Sequence, residues 1–310
     1  MEDRVKIIKD SIPLIDLRAP VEFAKGAFPA SINIPILNNN QRAQVGIKYK
    51  DEGSYAAEKL GFNLLKNERE NKVALWKRFI DENPATHLYC SRGGKRSQFA
   101  KSWLSDNGIS VPVIDGGYKA LRSTLIEILN SVNNDKKNWV ILAGRTGTGK
   151  TAIIKNLNSA IDLEDLAMHK GSAFGGSLQD QPTTINFENN LASEYIKHSG
   201  NILFLEDESA RIGNLIIPNV WYKKMNESKI IIIELNLEQR IKNIAKEYVY
   251  DPLKNGLSKK NLNLLLQSSL FKIRRRLGLM LYNDISLKIK KILIDSHKIS
   301  HNEWIKDLLV

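Results

Sequence analysis

The chain has 310 residues, 42% hydrophobic and 26% charged, the balance of a globular protein with room for two separately cored domains. A single cysteine excludes a disulfide scaffold. No apolar run approaches the roughly 18 residues of a membrane span, so the expected location is the cytoplasm, with no membrane partner. The net charge of +12 is uneven: 20 Lys and Arg face 15 acids over residues 1–130, 11 face 12 over 131–235, and 15 face 7 over 236–310. The excess therefore sits in the last quarter, where Lys272, Arg274, Arg275, Arg276, Lys288, Lys290 and Lys291 mark it as the candidate surface for a polyanion. A solvated helical face has the same composition.

Residues 13–17 read as a buried strand, followed by a short helix over 20–25. A turn-rich link over 26–35 leads to a second short strand, and Asn38–Asn40 mark a loop. Apolar residues at helical spacing cover 51–66 and 70–82. A strand-like run then ends on Cys90, and Ser91-Arg92-Gly93-Gly94-Lys95 leads to Arg96 and a helix over 97–107, stopped by Gly108. A further strand is expected over 111–115, and Gly116-Gly117 starts a helix to about residue 129. Alternating strands and helices predict a parallel sheet with its site at the strand C-terminal ends. A strand end, a glycine-rich loop and a helix N-terminus aim backbone N–H groups at one point, and Arg92, Lys95 and Arg96 place cations near the thiol. Such surroundings favour a nucleophilic thiolate. A lone cysteine is more often a small buried hydrophobe, but paired glycines and three cations do not suit a dry core. Cys90, Arg92, Gly93, Gly94 and Arg96 form the expected catalytic set.

Residues 131–138 are polar and make a linker. A strand over 139–143 runs into Gly144-Arg145-Thr146-Gly147-Thr148-Gly149-Lys150-Thr151, which fits the phosphate-loop pattern G-x-x-x-x-G-K-[ST], and a helix follows over 152–159. Loop N–H groups cradle phosphate oxygens, Lys150 neutralises them, and the Thr151 hydroxyl reaches a Mg²⁺ ion when one is bound. Gly144, Arg145, Thr146, Gly147, Gly149, Lys150 and Thr151 are the expected phosphate-binding residues. The long polar stretch 168–187 carries His169, Lys170, Ser172 and Phe174, and its length inside an α/β domain predicts a lid over substrate. After a helix over 187–198, a buried strand over 202–205 delivers Glu206, Asp207 and Glu208, with Arg211 beyond. Acids at such a strand end hold Mg²⁺ in phosphate-loop proteins; they also suit a solvated turn. The five histidines form no ligand cluster, so no resident metal is expected. A strand over 230–235 precedes helices starting at Asn236, at Ser258, at Asp284 and at Ser300. The expected organisation is three segments: 1–130, 131–235, and a basic helical region, 236–310, packed on the second.

The first segment resembles a rhodanese domain through Asp16-x-Arg18-x-x-x-Glu22-Phe23-x-x-Gly26-x-x-Pro29, Asn33-Ile34-Pro35 and Gly116-Gly117-Tyr118. Its loop, Cys90 to Arg96 with five residues between, is one longer than is usual there. That spacing matches the protein phosphatase signature, which wants histidine where Tyr89 stands. The order of a rhodanese-like domain and a phosphate loop, joined by His169-Lys170-Gly171-Ser172-Ala173-Phe174-Gly175, Gln181-Pro182, Asn186-Phe187-Glu188, Glu206-Asp207-Glu208 and Val45-Gly46-x-x-Tyr49-Lys50-x-x-Gly53, resembles the tRNA 2-selenouridine synthase family up to about residue 235. The resemblance implies an α/β protein with a rhodanese-like parallel-sheet domain, then a P-loop α/β domain and a basic helical tail. It implies a transferase that replaces the sulfur of wobble 2-thiouridine with selenium from selenophosphate. The resemblance further implies an S-geranyl-2-thiouridine intermediate, made from geranyl diphosphate. Its partners would be tRNA and a selenophosphate-supplying enzyme. Cys90 would handle the chalcogen, the P-loop a phosphorylated co-substrate, and the tail tRNA. The residues alone leave open a rhodanese-type sulfurtransferase, or a phosphatase fused to a P-loop NTPase, neither with an RNA substrate. They also leave open a basic, non-catalytic RNA-binding regulator.

Overall fold

The structure is a computed structural model that describes residues 2–172, 174–175, 180–294 and 300–310. The first elements are α1 (Glu2–Lys9), β1 (Leu14–Asp16), α2 (Pro20–Lys25), β2 (Ser31–Asn33), α3 (Asn39–Leu65), α4 (Arg69–Glu82), β3 (His87–Tyr89), α5 (Lys95–Ser105) and α6 (Gly117–Ser131). The buried β1 pairs in parallel with β2 and β3, placing Ile15 beside Ile32 and Leu88. Its core gathers Ile15, Leu17, Trp76, Leu88, Trp103 and Leu104, with the Trp76 indole N–H donating to Ile34 O at 2.9 Å. The strand expected over 111–115 contributes only a parallel bridge from Val113 to Leu88. Pro112 offers a carbonyl, accepting from Leu88 N–H, but no N–H with which to extend the ladder.

The loop expected at Asn38–Asn40 is a helix start. Asn38 accepts from the Gln41 N–H and Gln41 accepts from the Asn38 N–H, each at 2.9 Å, a reciprocal capping box. α3 is broken at Gly53, where φ is 85°, a left-handed conformation that glycine adopts without a Cβ clash.

The chain continues through β4 (Asn138–Ala143), α7 (Lys150–Asn156), α8 (Leu163–Leu166), α9 (Thr184–Lys197), β5 (Ile202–Glu206), β6 (Arg211–Ile212), β7 (Leu215–Ile216), α10 (Asn219–Asn226) and β8 (Lys229–Ile232). β4 lies between β5 and β8, all parallel, and β6 and β7 form a small antiparallel hairpin. The rest is helical: α11 (Leu237–Ala245), α12 (Asp251–Lys254), α13 (Lys259–Leu277), α14 (Leu279–Leu293) and α15 (His301–Leu309). Ile241, Ile244, Leu262, Leu266, Leu270, Ile285, Ile289 and Trp304 close their shared core. The fold class is α/β with two parallel sheets and a helical C-terminal region. Among the described residues, no helix is long and apolar enough to cross a membrane.

Two compact units result, residues 1–131 with 183–197, and residues 132–182 with 198–310. Sequence order placed α9 with the second sheet, whereas α9 packs on α1 and α6 of the first unit. Polar contacts hold it there. Arg122 donates to Asn189 Oδ1 at 2.8 Å and pairs with Glu188, while Ala27 N–H donates to Asn186 Oδ1 at 2.8 Å and Asn189 Nδ2 to Ala27 O at 2.6 Å. Asn186-Phe187-Glu188 is therefore a docking motif, with Phe187 fully buried beneath it.

Candidate active site

β3 delivers Cys90 to the floor of a cavity of about 750 Å³. The thiol is buried and its Sγ lies 4.0 Å from Gly94 O. Contrary to the expectation from its neighbours, Cys90 packs in the core cluster with Ile15 and Leu88, while still lining the cavity. Gly117 (φ 54°), the first residue of α6, leaves no room for a side chain, since a Cβ there would fall 2.3 Å from Cys90 O and 2.6 Å from Gly93 N. Tyr118 N–H donates to Cys90 O at 2.8 Å and Lys119 N–H to Ser91 O at 3.0 Å. Gly93 takes a φ of 67° and Gly94 caps α5.

The cations near the thiol are largely spoken for. Arg96 donates to Glu22 at 2.8 Å and to Ser91 Oγ at 2.6 Å, and Lys95 lies 3.2 Å from Glu58. Partial burial pushes the Glu22 carboxyl up, but the Arg96 guanidinium, the Ala19 amide and Arg42 outweigh it and leave its pKa below the ordinary value. Arg92 is exposed and lines the cavity, with no ion pair among the described residues. Sequence reasoning missed Glu22 as the partner of Arg96, although the motif that contains it was visible. Asp16 and Arg18 are framework: Arg18 Nη2 donates to Asp16 Oδ2 at 2.6 Å and to Gly26 O at 2.8 Å, with its guanidinium 3.7 Å from the Tyr118 ring centroid. Tyr89 is fully buried, its hydroxyl donating to Ser31 Oγ at 3.3 Å.

In the second unit the loop between β4 and α7 lines a cavity of about 690 Å³, with Gly144, Thr146, Gly147, Gly149, Lys150 and Thr151 on one side and Lys170, Ser172, Asp207, Glu208 and Tyr248 on others. Gly147 (φ 86°) has no room for a side chain, because a Cβ would meet Arg240 O at 2.7 Å. α11 braces the loop: Arg240 Nε donates to Thr146 O at 3.0 Å and Asn243 Nδ2 to Gly147 O at 2.8 Å. These two were not expected; their only signal is a polar pair three residues apart on an otherwise apolar helix face. Lys150 Nζ donates to Gly144 O at 2.6 Å, and the Thr151 hydroxyl to Glu164 Oε2 at 3.0 Å. Arg145 is exposed and outside the lining, offering only its carbonyl to Thr148. Arg211 sits on the β6 hairpin, also exposed and outside it.

A second cavity, of about 520 Å³, shares Thr151, Lys155, Glu164, Lys170, Glu247 and Tyr248 with the first and adds Met168, His169, Phe174, Leu257 and Leu265. Ser172 and Tyr248 share a hydrogen bond of 2.9 Å, and Lys170 pairs with Glu247 at 2.9 Å. Burial, with the Lys272 ammonium nearby, holds His169 below its ordinary pKa. The stretch expected to form a lid thus has His169, Lys170, Ser172 and Phe174 on these two cavities, while Ala173 and residues 176–179 fall outside the described residues.

Glu206 ends β5 fully buried, with Oε1 lacking a partner among the described residues. Burial, with Asp162 and Glu164 adjacent, pushes its pKa up to about 9; burial and Glu164 push Glu208 up to about 8. The solvated-turn reading suits only Asp207, which is exposed. No cluster of three His, Cys, Asp or Glu side chains suited to a metal occurs among the described residues. Between pH 4.5 and about 9 the folded chain holds a proton on Glu206 that the unfolded chain releases, so stability falls as pH rises through that window. Glu206→Gln, neutral and nearly isosteric, should flatten the pH dependence of unfolding free energy by up to about 1.4 kcal/mol per pH unit. Urea melts of the ligand-free protein from pH 5 to 9 measure this, and an unaltered slope would contradict a protonated Glu206.

In the helical tail, Lys272, Arg275 and Arg276 are exposed at the end of α13, and the Arg274 guanidinium lies 3.6 Å from the Phe271 ring centroid. Lys290 and Lys291 are exposed on α14. Lys288 differs from the rest of the expected set: Asp284 at 2.7 Å and Asp307 at 2.8 Å hold it and raise its pKa.

Comparison with known proteins identifies relatives of both units. A family profile described as a rhodanese-like domain matches residues 3–124, and one described as the tRNA 2-selenouridine synthase AAA domain matches residues 137–310. A tRNA 2-selenouridine synthase of Shewanella denitrificans is 40% identical over 96% of this chain and 85% of its own length. That of Hydrogenovibrio crunogenus is 39% identical over 99% of this chain and 89% of its own. Among solved structures, the N-terminal domain of an ATP/GTP binding protein from Clostridium difficile 630 aligns over 41% of this chain and 96% of its own, at 28% identity and a TM-score of 0.38. The cysteine loop of one unit and the phosphate loop of the other define a class: a rhodanese-like domain joined to a P-loop domain. Within that class the chain belongs to the tRNA 2-selenouridine synthase family, a family of enzymes.

Proposed function

We propose that the two loops divide one reaction on tRNA between them. The P-loop unit transfers a geranyl group from geranyl diphosphate to the sulfur of wobble 2-thiouridine. The Cys90 unit then replaces the S-geranyl group by the selenium of selenophosphate: a C–Se bond forms as the C–S bond breaks, geranylthiol leaves, and water takes the phosphoryl group as phosphate, with no change of oxidation state. The observation that carries this reading is the shared wall between a phosphate cavity and an apolar slot in the second unit. A diphosphate on the loop N–H groups and Lys150 would leave its hydrocarbon against Met168, Phe174, Leu257 and Leu265. Thr151, Asp207 and Glu208 supply the hard oxygen donors that would hold Mg²⁺ together with the diphosphate, matching its habit of taking one or two carboxylates plus substrate phosphates. Such an ion would neutralise the departing diphosphate.

Cys90, Gly93 and Gly94, with Arg92 and Arg96, would serve the selenium step, Glu22 fixing Arg96 and Ser91. The reaction belongs in the cytoplasm, with selenophosphate supplied by another enzyme. Incubating 2-thiouridine tRNA with the protein and geranyl diphosphate should give S-geranyl-2-thiouridine by nucleoside mass spectrometry, and adding selenophosphate should convert it to 2-selenouridine. Consumption of ATP with no change in the tRNA would contradict the reading and favour a P-loop NTPase.

The basic tail is the proposed tRNA grip. Each phosphate contact contributes about 0.7–0.9 to the slope of log affinity against log salt. Replacing Arg274, Arg275 and Arg276 by Ala should flatten that slope by about two to three units in an anisotropy titration. An unchanged slope, with helicity intact by circular dichroism, would move the tRNA to the first unit.

A further inference from the structure

The loop after Cys90 leaves a run of backbone donors without partners. The N–H groups of Ser91, Arg92, Gly93, Gly94, Lys95 and Arg96 make no hydrogen bond to any described residue. All but Gly93 belong to residues that line, with Cys90, the cavity of about 750 Å³. Ser97 is the next residue, and its N–H donates to Gly94 O at 3.0 Å, the carbonyl that Cys90 Sγ meets at 4.0 Å. The thiol and the N-terminus of α5 therefore converge on one carbonyl. Ser97 is fully buried, and its Oγ has no partner among the described residues. Arg92 adds a cation to the lining that no described ion pair neutralises. Unused N–H groups at a helix N-terminus suit the several oxygens of a phosphoryl group. A single selenium atom, a softer and weaker acceptor, would use few of them.

We propose that Cys90 is a phosphoryl acceptor: it takes the phosphorus of selenophosphate, not the selenium, and passes through an S-phosphocysteine. This rests on the function proposed above, which brings selenophosphate to the loop without fixing the atom that the thiol attacks. With the three oxygens on the loop N–H groups, phosphorus faces Sγ and selenium points into the cavity. That is the leaving-group position of an in-line displacement. The Cys90 thiolate forms the S–P bond as the P–Se bond breaks, and HSe⁻ leaves with the electron pair. HSe⁻ adds to C2 of the S-geranyl nucleoside, geranylthiolate leaves, and the selenium-borne proton ends on N3. Water then cleaves the S–P bond, returning the thiol and inorganic phosphate. No atom changes oxidation state. Attack on selenium fails this balance. A perselenide forms on Cys90 only if phosphorus departs with the electron pair, as phosphite, or if an oxidant intervenes. It would also send the departing phosphorus away from the N–H groups suited to hold it.

Full-length protein, in excess, would be mixed with selenophosphate carrying radioactive phosphorus and with tRNA bearing S-geranyl-2-thiouridine. Denaturing quenches at increasing times, with peptide mapping, would follow the label. It should reach the Cys90 peptide no later than 2-selenouridine forms and then leave as phosphate. Cys90→Ser should carry at least about a hundredfold less. Near-ultraviolet circular dichroism of the stacked Trp76–Trp103 pair confirms that this variant is folded. A second readout covers hydrolysis too fast for the quench. By microscopic reversibility, the wild type should wash heavy oxygen out of labelled inorganic phosphate with no selenide or tRNA present. Its rate should exceed that of Cys90→Ser at least about a hundredfold. Selenium on the Cys90 peptide, or phosphite as product, overturns the proposal. So does selenouridine formation with neither phosphorus on Cys90 nor oxygen exchange. The proposed function survives both of those results. Phosphorylated Cys90 in a wild type that forms no selenouridine overturns the proposed function and leaves the phosphoryl step standing.

Discussion

Cys90→Ser is expected to lower selenium incorporation into tRNA by at least about a thousandfold, with the protein still folded and still binding tRNA. The hydroxyl is close in size to the thiol, so the floor beneath the cavity and the packing against Ile15 and Leu88 survive. Chemistry does not. A serine hydroxyl ionises far less readily than a thiol and is the weaker nucleophile near neutral pH. The loop that faces it, with Gly93 at φ 67° and Gly117 pressed against Cys90 O, would keep its backbone without the thiol. Geranylation, assigned to the other unit, should persist, so S-geranyl-2-thiouridine should accumulate. Selenouridine formation at the wild-type rate by the serine variant would remove Cys90 from the mechanism.

Lys150→Ala is expected to lower geranyl transfer at least about a hundredfold. The loop N–H groups alone do not balance a diphosphate, and the ammonium that now rests on Gly144 O at 2.6 Å is the cation positioned to do so. Thermal shift separates this from a nucleotide site. At a hundredfold excess over its Kd, a ligand of the folded state raises the midpoint by about 5 °C or more for a domain of this size. Geranyl diphosphate should do this for wild type and not for Lys150→Ala, and ATP should protect less. Strong protection by ATP, with none from the prenyl diphosphate, would overturn the assignment of the slot beside the phosphate loop.

Both loops were legible because their signals are local. Glycines, a lysine after the last of them and a flanking strand and helix all lie within a few residues, so that Gly144 to Lys150 link β4 to α7 and Cys90 to Gly94 link β3 to α5. The contacts that arm the sites are not local. Glu22 reaches Arg96 across 74 residues, and Arg240 braces Thr146 across 94. The transfer of α9 to the first unit depends on Arg122, 66 residues from Glu188. The start of α3 reads as a loop because asparagine serves loops and helix caps equally well, and only the reciprocal Gln41 contact decides between them. Burial was similarly hidden. Three consecutive acids look alike in sequence, yet Glu206 is enclosed while Asp207 is exposed, and the basic cluster on α14 loses Lys288 to two aspartates.

Separate sites for geranyl addition and selenium exchange can be told apart by starting from the intermediate. Purified tRNA carrying S-geranyl-2-thiouridine would be incubated with selenophosphate and wild-type, Lys150→Ala or Cys90→Ser protein, and its nucleosides followed by mass spectrometry. With separate sites, wild type and Lys150→Ala should form 2-selenouridine at rates within about threefold of each other, and Cys90→Ser essentially none. Conversion by Cys90→Ser, or its loss in Lys150→Ala, would contradict separate sites.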